Sequence, residues 1–178
     1  KGAVVVVLGG VGGYAEAIVV EADKNAVRVR VDVVRNEEHL PLLLTIATAI
    51  PKGKRWQILV EKCTELGVDG LIPLLTERSV AKGEGDVDKW RRWLLEAAKQ
   101  SRRAWLPVIQ EPLPLARVLA QAKAENAAVF LADPQGEAPR AYHDMLRHTM
   151  RVVALIGPEG GLTTAEVDAC RHYGAHPI

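Results

Sequence analysis

Near residue 40 the hydrophobic rhythm of this sequence changes, and that change restricts the fold more than any other feature. Upstream, AVVVVL, GGVGG, YAEAIVVEA, DKN and AVRVRVDVV follow one another over residues 3–34 as strand, glycine turn, strand, polar turn, strand. In the last run Val27, Val29, Val31 and Val33 alternate with Arg28, Arg30 and Asp32, the period of a half-covered antiparallel strand. RNEEHLPL (35–42) is a charged joint with Pro41 near its end. Downstream, LLTIATA (43–49), GLIPLL (70–75), AAVFLA (127–132) and RVVALI (151–156) read as strands, and helical stripes separate them. Trp56, Leu59, Val60, Cys63 and Leu66 mark a helix over 54–67 that Gly67 closes. Trp90, Trp93, Leu94, Ala97, Ser101 and Trp105 mark another over 88–105. Leu115, Val118, Leu119 and Ala122 form a third behind Pro114, and 138–149 reads as a further helix. Thr163 with Glu166 has the spacing of a capping box for a last helix, which Gly174 ends. Strands separated by helices require a mainly parallel sheet covered on both faces. The expectation is an α/β protein: a small antiparallel β domain over 1–40, then a parallel-sheet domain over 41–178.

A hydrophobic fraction of 48% over 178 residues is enough to bury a core, and a net charge of +1 leaves any anionic partner to be met by local patches. Cys63 and Cys170 stand alone in apolar helical stretches, which suits core side chains in a reducing, cytoplasmic setting. The five histidines lack metal-ligand spacing, so no metal is expected. No apolar run is long enough to span a bilayer, so no membrane partner is expected. The chain starts at Lys1 rather than Met and stops at Ile178, and the expectation is a sequence trimmed at both ends.

Two glycine-rich turns compete for a ligand. GVGGYA, with Gly10, Gly12 and Ala15, has the form of a dinucleotide fingerprint, and Asp32 follows at a suitable distance. A hairpin competes with that reading, because Ile18, Val19 and Val20 are three successive β-branched residues and favour a strand. LIGPEGGLTTAE (155–166) is different: a strand breaks into Gly157, Pro158, Glu159, Gly160 and Gly161 and restarts as a capped helix. Such a turn lies at the carboxyl edge of a parallel sheet, where open α/β proteins bind ligands, and its glycines let the backbone approach a bound molecule. It lacks the G-K-[ST] of a phosphate loop, and Glu159 suits a ligand carrying positive charge. A tight strand–helix corner without a ligand is the alternative.

LIGPEGGLTTAEV (155–167) resembles the cofactor loop of the RsmE-type rRNA uridine methyltransferases of the SPOUT superfamily. PKGKRWQILVEKCTELGVDGLIPLLTERSV (51–80) is similar to that family's segment from P-K-G through T-E-L-G-V to T-E-R-S. WRRWLLEAAKQSRRAWLP (90–107) resembles its W-x-x-I-x-x-E-A-x-E-Q-S-G-R segment, with Lys99-Gln100-Ser101-Arg102-Arg103 in place of E-Q-S-G-R and Trp105 at a further basic position. The resemblance covers 40–178 firmly and 1–40 loosely. It implies a SPOUT-type sheet with a C-terminal trefoil knot, whose completing L-G-x-x-I-L-R-x-E-T-A stretch would follow Ile178, preceded by part of a PUA-like RNA-binding barrel.

The same resemblance implies methyl transfer from S-adenosylmethionine to N3 of a uridine in 16S rRNA, free or in the small ribosomal subunit, by a cytoplasmic homodimer. Leu131, Ile156, Gly157, Pro158, Glu159, Gly160 and Gly161 would hold the cofactor. Lys52, Arg55, Arg78, Gln100, Arg102 and Arg103 would meet RNA. N3 of uracil is a poor nucleophile until its proton leaves, so a cation near the developing anion is required, and Arg103 is the expected catalytic residue. Trp90, Trp93 and Trp105 are spaced as a core or subunit-contact stripe. A SPOUT enzyme of other specificity, such as ribose 2′-O transfer, and a non-catalytic RNA-binding module are the competing functions.

Overall fold

The computed structural model describes residues 2–79 and 85–178. Strands β1 (Val4–Leu8), β2 (Gly13–Ala22), β3 (Val27–Val31) and β4 (Arg35–Asn36) form one antiparallel sheet, with β2 pairing all three others. The GVGGYA stretch is therefore the β1–β2 hairpin, with the Gly9 amide donating to the Gly13 carbonyl at 2.7 Å, and not the start of a nucleotide-binding helix. The β-branched run at 18–20 decides this, since it continues β2: Ile18 pairs Val4 of β1 and Arg30 of β3, Val19 pairs Val29, and the register to β3 shifts only at Val20.

The second sheet contains β5 (Leu43–Ala49), β6 (Gly70–Leu75), β7 (Val108–Ile109), β8 (Leu113–Pro114), β9 (Ala128–Leu131), β10 (Arg151–Ile156) and β11 (His176–Pro177). Its order is β11-β9-β10-β5-β6-β7, β8 also pairs β6, and every pairing is parallel. Pro73 in the middle of β6 has no N–H to give, and the outer partner divides there: β7 pairs Gly70 and Leu71 while β8 pairs Leu74 and Leu75.

Helices α1 (Arg55–Leu66) and α2 (Val87–Ser101) cover one face, where Trp56, Val60, Leu71, Trp90, Leu94 and Ile109 make a core. Helices α3 (Leu115–Ala124) and α5 (Thr164–Tyr173) cover the other, burying Val118, Leu119, Ile72, Leu74, Leu155 and Cys170. The helix expected over 138–149 is shorter, a 3₁₀ turn (Pro139–Tyr142) running into α4 (His143–Leu146), because none of its residues is buried and no face drives it further. The helix expected over 88–105 stops at Ser101, where Arg102 takes a left-handed conformation with φ 55°. Trp105 thus leaves the helical stripe. It bridges Val11, its indole Nε1 donates to the Glu37 carbonyl at 3.0 Å, and it ties the antiparallel sheet to the parallel one. No described helix is long and apolar enough to cross a membrane.

Candidate functional site

The strand order fixes where a ligand can enter. From β5 the chain leaves through α1 toward β6, whereas from β10 it leaves through α5 toward β11 on the opposite side. The carboxyl ends of β5 and β10, which are hydrogen-bonded neighbours, therefore flank a topological switch point. The turn after β10 is Gly157–Leu162, the turn after β5 is Ile50–Lys54, and the turn after β6 carries Thr76–Ser79. Three loops from distant parts of the chain converge on one edge.

Glu166 holds two of them together. Thr163 caps α5 by accepting from the Glu166 amide, and the Glu166 carboxylate accepts the Thr163 amide at 2.8 Å, the reciprocal capping box. The same carboxylate accepts the Glu77 amide at 2.8 Å, across the end of β5. Burial alone pushes the Glu166 carboxyl up, but hydrogen bonds from the Thr163 and Glu77 amides and the Thr163 hydroxyl, with the Arg78 charge, outweigh it and hold the carboxyl below its ordinary value. Arg78 completes the brace by donating to the Gly160 carbonyl at 2.8 Å. Arg55, the first residue of α1, lies 3.8 Å from Glu159, but both side chains are largely exposed and the pair adds little.

The turn itself is open on one side. Gly161 has φ +71°, and a Cβ there would meet nothing within 4 Å. Gly157 is tighter, with Leu162 Cγ 3.2 Å from the position of its missing Cβ. Pro158 and Gly157 are half-buried, Glu159 and Gly160 exposed. Ile156 at the strand end is 38% exposed, whereas Leu131 at the end of β9 is 4% exposed and belongs to the core.

The basic residues expected to meet RNA fall into two groups. Lys52, Arg55 and Arg78 stand at the carboxyl edge with the glycine turn. Gln100, Arg102 and Arg103 stand at the far end of α2, roughly 20 Å away for a helix of this length. There Lys99, Arg102 and Arg103 line a groove of about 480 Å³ shared with Val4, Val6 and Leu8 of β1. Arg103 is occupied: its Nε and Nη2 both donate to the Glu65 carbonyl, at 3.0 and 2.8 Å, in the last turn of α1. Its guanidinium also lies against Gly67, whose absent Cβ would stand 2.8 Å from Nη1. This chain does not bring Arg103 to the glycine turn. Val80, last residue of the T-E-R-S-V stretch, lies outside the described residues.

Sequence reasoning missed the second task of Glu166. Its capping role shows in T-T-A-E, but its contact with Glu77 joins residues 89 apart and depends on the strand order. The joint over 35–42 shows in the sequence, but not its docking through His39, which pairs with Asp69 at 2.8 Å and stacks edge-on against Trp105 with centroids 4.5 Å apart.

A family model described as an RNA methyltransferase domain matches residues 38–178. A protein of Synechocystis named ribosomal RNA small subunit methyltransferase E is 33% identical over 150 residues, which are 83% of this chain and 50% of that protein. Its namesake in Mycobacterium bovis is 32% identical over 177 residues, 93% of this chain and 66% of that protein. The chain therefore spans about half to two thirds of the length of these curated relatives. Among solved structures, a protein of Legionella pneumophila in complex with the cofactor SAM superposes with a TM-score of 0.82 at 28% identity, over 99% of this chain and 74% of that one.

Proposed function

This chain belongs to the RNA methyltransferase domain family and is similar in sequence to ribosomal RNA small subunit methyltransferases E, and from that premise we propose that it methylates N3 of a uridine in 16S rRNA with S-adenosylmethionine as methyl donor. The observation that carries the proposal is the Gly157–Gly161 turn at the switch point, braced from below by Glu166 and from the side by Arg78.

The residues present fit the cofactor. The open side of Gly161 lets an adenine edge come close to the backbone, Ile156 offers apolar surface, and the exposed Glu159 carboxylate suits a cationic sulfonium. Gly157, Pro158, Glu159, Gly160 and Gly161 would hold it, with Leu131 supporting the strand ends. When bound, S-adenosylmethionine supplies an electrophilic methyl group. The chain's own part is to place the uracil ring, let the N3 proton leave, and stabilise the resulting anion on N3 and its flanking carbonyl oxygens. Arg78, whose guanidinium bonds the turn directly, is assigned that stabilising role; Lys52 and Arg55 on the same edge would meet phosphates. Arg103 stands at the opposite edge, so a catalytic role for it requires a second copy of the chain to present its guanidinium.

The finer architecture belongs to the same proposal. Residues 1–40 are read as part of a PUA-like RNA-binding barrel and 41–178 as a SPOUT domain. A knotted tail is supported by the packing of 133–137 on the last residues: the Asp133 amide donates to the Ile178 carbonyl at 2.8 Å, and the Glu137 amide to Pro177 at 3.2 Å. A homodimer is inferred from the family, and light scattering at micromolar concentration is expected to give twice the chain mass.

The test of function is transfer of labelled methyl from S-adenosylmethionine to small ribosomal subunits lacking the modification. N3-methyluridine blocks Watson–Crick pairing, so product is expected as a reverse-transcription stop at a uridine. Label on a ribose 2′-oxygen would move the chain to another specificity, and no label at all would leave an RNA-binding module.

A further inference from the structure

The turn that sends Arg55 toward Glu159 also walls a cavity of about 450 Å³ that cofactor binding does not use. Pro51 and Lys52 form one side, Trp56 of α1 lies at the bottom, and Trp90, Trp93 and Lys89 of α2 form the other. Trp56 and Trp90 are 4% and 5% exposed and meet edge to face with centroids 5.4 Å apart. Trp93 is half-buried, and the Lys89 ammonium lies 5.2 Å from its ring centroid. Lys52 and Lys89 are exposed. Asp86, the one carboxylate in the lining among the described residues, is already engaged: it caps α2 by accepting the Lys89 amide at 2.8 Å, and Arg92 lies 4.0 Å away.

One atom in this wall is out of balance. The Trp56 indole Nε1–H is buried and has no acceptor among the described residues. Native proteins leave few buried donors unmet, because the donor has given up water and gained nothing. That donor is closed off beneath the cavity, and what the cavity itself presents is a π surface on the half-buried Trp93 and positive charge at the rim from Lys52 and Lys89. One ligand class uses both together.

We propose that this cavity receives an unpaired nucleobase of the RNA strand that the enzyme methylates, with Trp93 as the stacking surface and Lys52 and Lys89 on the adjoining phosphates. The proposal rests on the RNA methyltransferase reading above and adds a subsite to it. Pro51–Lys52 sit in the loop after β5, at the switch point beside the glycine turn, so a strand laid along this edge passes both. An apolar side chain from a protein partner would use the indole of Trp93 but not the two ammonium groups.

The experiment measures binding of a single-stranded uridine pentanucleotide by anisotropy, with S-adenosylmethionine binding followed by calorimetry in parallel. Saturating oligonucleotide is expected to quench the indole emission of the unmodified protein. Trp93→Leu is expected to weaken oligonucleotide binding about tenfold or more, in line with the loss of one stacked base. The surface variant Lys89→Ala, at a lysine that only the base subsite employs and with the indoles left in place, is expected to lower the salt slope by about 0.7, one single-strand phosphate contact. Both are expected to bind S-adenosylmethionine as the parent does. Should Trp93→Leu fail to fold, Lys89→Ala and the quenching decide alone. Parent-like oligonucleotide affinity and salt slope in the variants, or no quenching on binding, would overturn the base subsite only. If the unmodified protein binds S-adenosylmethionine but no RNA of any kind, the failure lies with the RNA reading itself.

Discussion

At the level of single residues, one carboxylate serves two loops. Glu166 accepts from Thr163 on its own helix and from Glu77 across β5, so it fixes both the start of α5 and the loop carrying Arg78. In Glu166→Gln one oxygen becomes an NH₂ that faces a backbone donor, and a charge-assisted bond is lost. That variant is expected to bind S-adenosylmethionine roughly tenfold more weakly, about 1.4 kcal/mol, while its core stays folded; calorimetry beside circular dichroism checks both. The pH dependence has a definite sign. The folded-state value lies below the ordinary 4.5, so the unfolded chain binds the proton more readily. Stability from Glu166 is therefore complete above its unfolded value and is lost as pH falls through the lower folded value. The melting-temperature advantage of the parent over Glu166→Gln should be flat near neutrality and shrink in acid; an advantage that stays constant from neutrality into acid would contradict the assignment. Cys170 gives a second residue-level test. Burial, and then the Glu166 charge, push its thiol up to about 11, and burial also raises Cys63. At pH 8 a thiol reagent is expected to label the native protein slowly and to titrate both cysteines only in denaturant.

At the level of elements, the question is what holds the antiparallel sheet against the parallel one. The answer is the β1–β2 turn meeting the segment after α2. The Gly12 amide donates to the Ala104 carbonyl at 2.9 Å and the Leu106 amide to Gly10 at 3.0 Å, while Trp105 packs where Gly12 has no side chain. A Cβ on Gly12 would stand 2.5 Å from Trp105 Cζ2, and φ there is +90°, so both space and backbone demand glycine. Gly12→Ala is expected to destabilise the joint by about 1–3 kcal/mol and to red-shift Trp105 emission before the α/β part melts; one unchanged, concerted melt would argue against that docking. The strands and helices around residues 43–75 and 151–174 were legible because period, caps and glycine stops agreed. The joint was not. Trp105 matched the spacing of the α2 stripe, yet the helix stops at Ser101 because Arg102 enters the left-handed region without being glycine. No hydrophobic pattern announces such a stop. β7 and β8 escaped notice because each has two residues and exists only as the divided partner of β6 around Pro73.

At the level of the whole molecule, a net charge of +1 conceals two separate basic groups. Lys52, Arg55 and Arg78 ring the switch-point edge, and Lys99 and Arg102 line the groove between α2 and β1 at the other end of α2. Arg103 completes that second group in sequence, but its guanidinium is committed to the Glu65 carbonyl, so Arg103→Ala should lower the melting temperature more than it changes RNA affinity. If one RNA crosses both edges, each group neutralises its own phosphates, and the two contributions to counterion release add. Lys52→Ala/Arg55→Ala and Lys99→Ala/Arg102→Ala are then each expected to lower the slope of log affinity against log salt by about 1.4, and the fourfold variant by about twice that. Affinity for S-adenosylmethionine should stay at the parent value in the second pair, which touches nothing near the glycine turn. A parent slope in the Lys99/Arg102 variant would confine the RNA to the carboxyl edge and remove the antiparallel sheet from its path. Additive slopes would instead mean that the substrate must be long enough to reach both ends of α2, which makes a stretch of several nucleotides, rather than a single nucleoside, the unit this fold recognises.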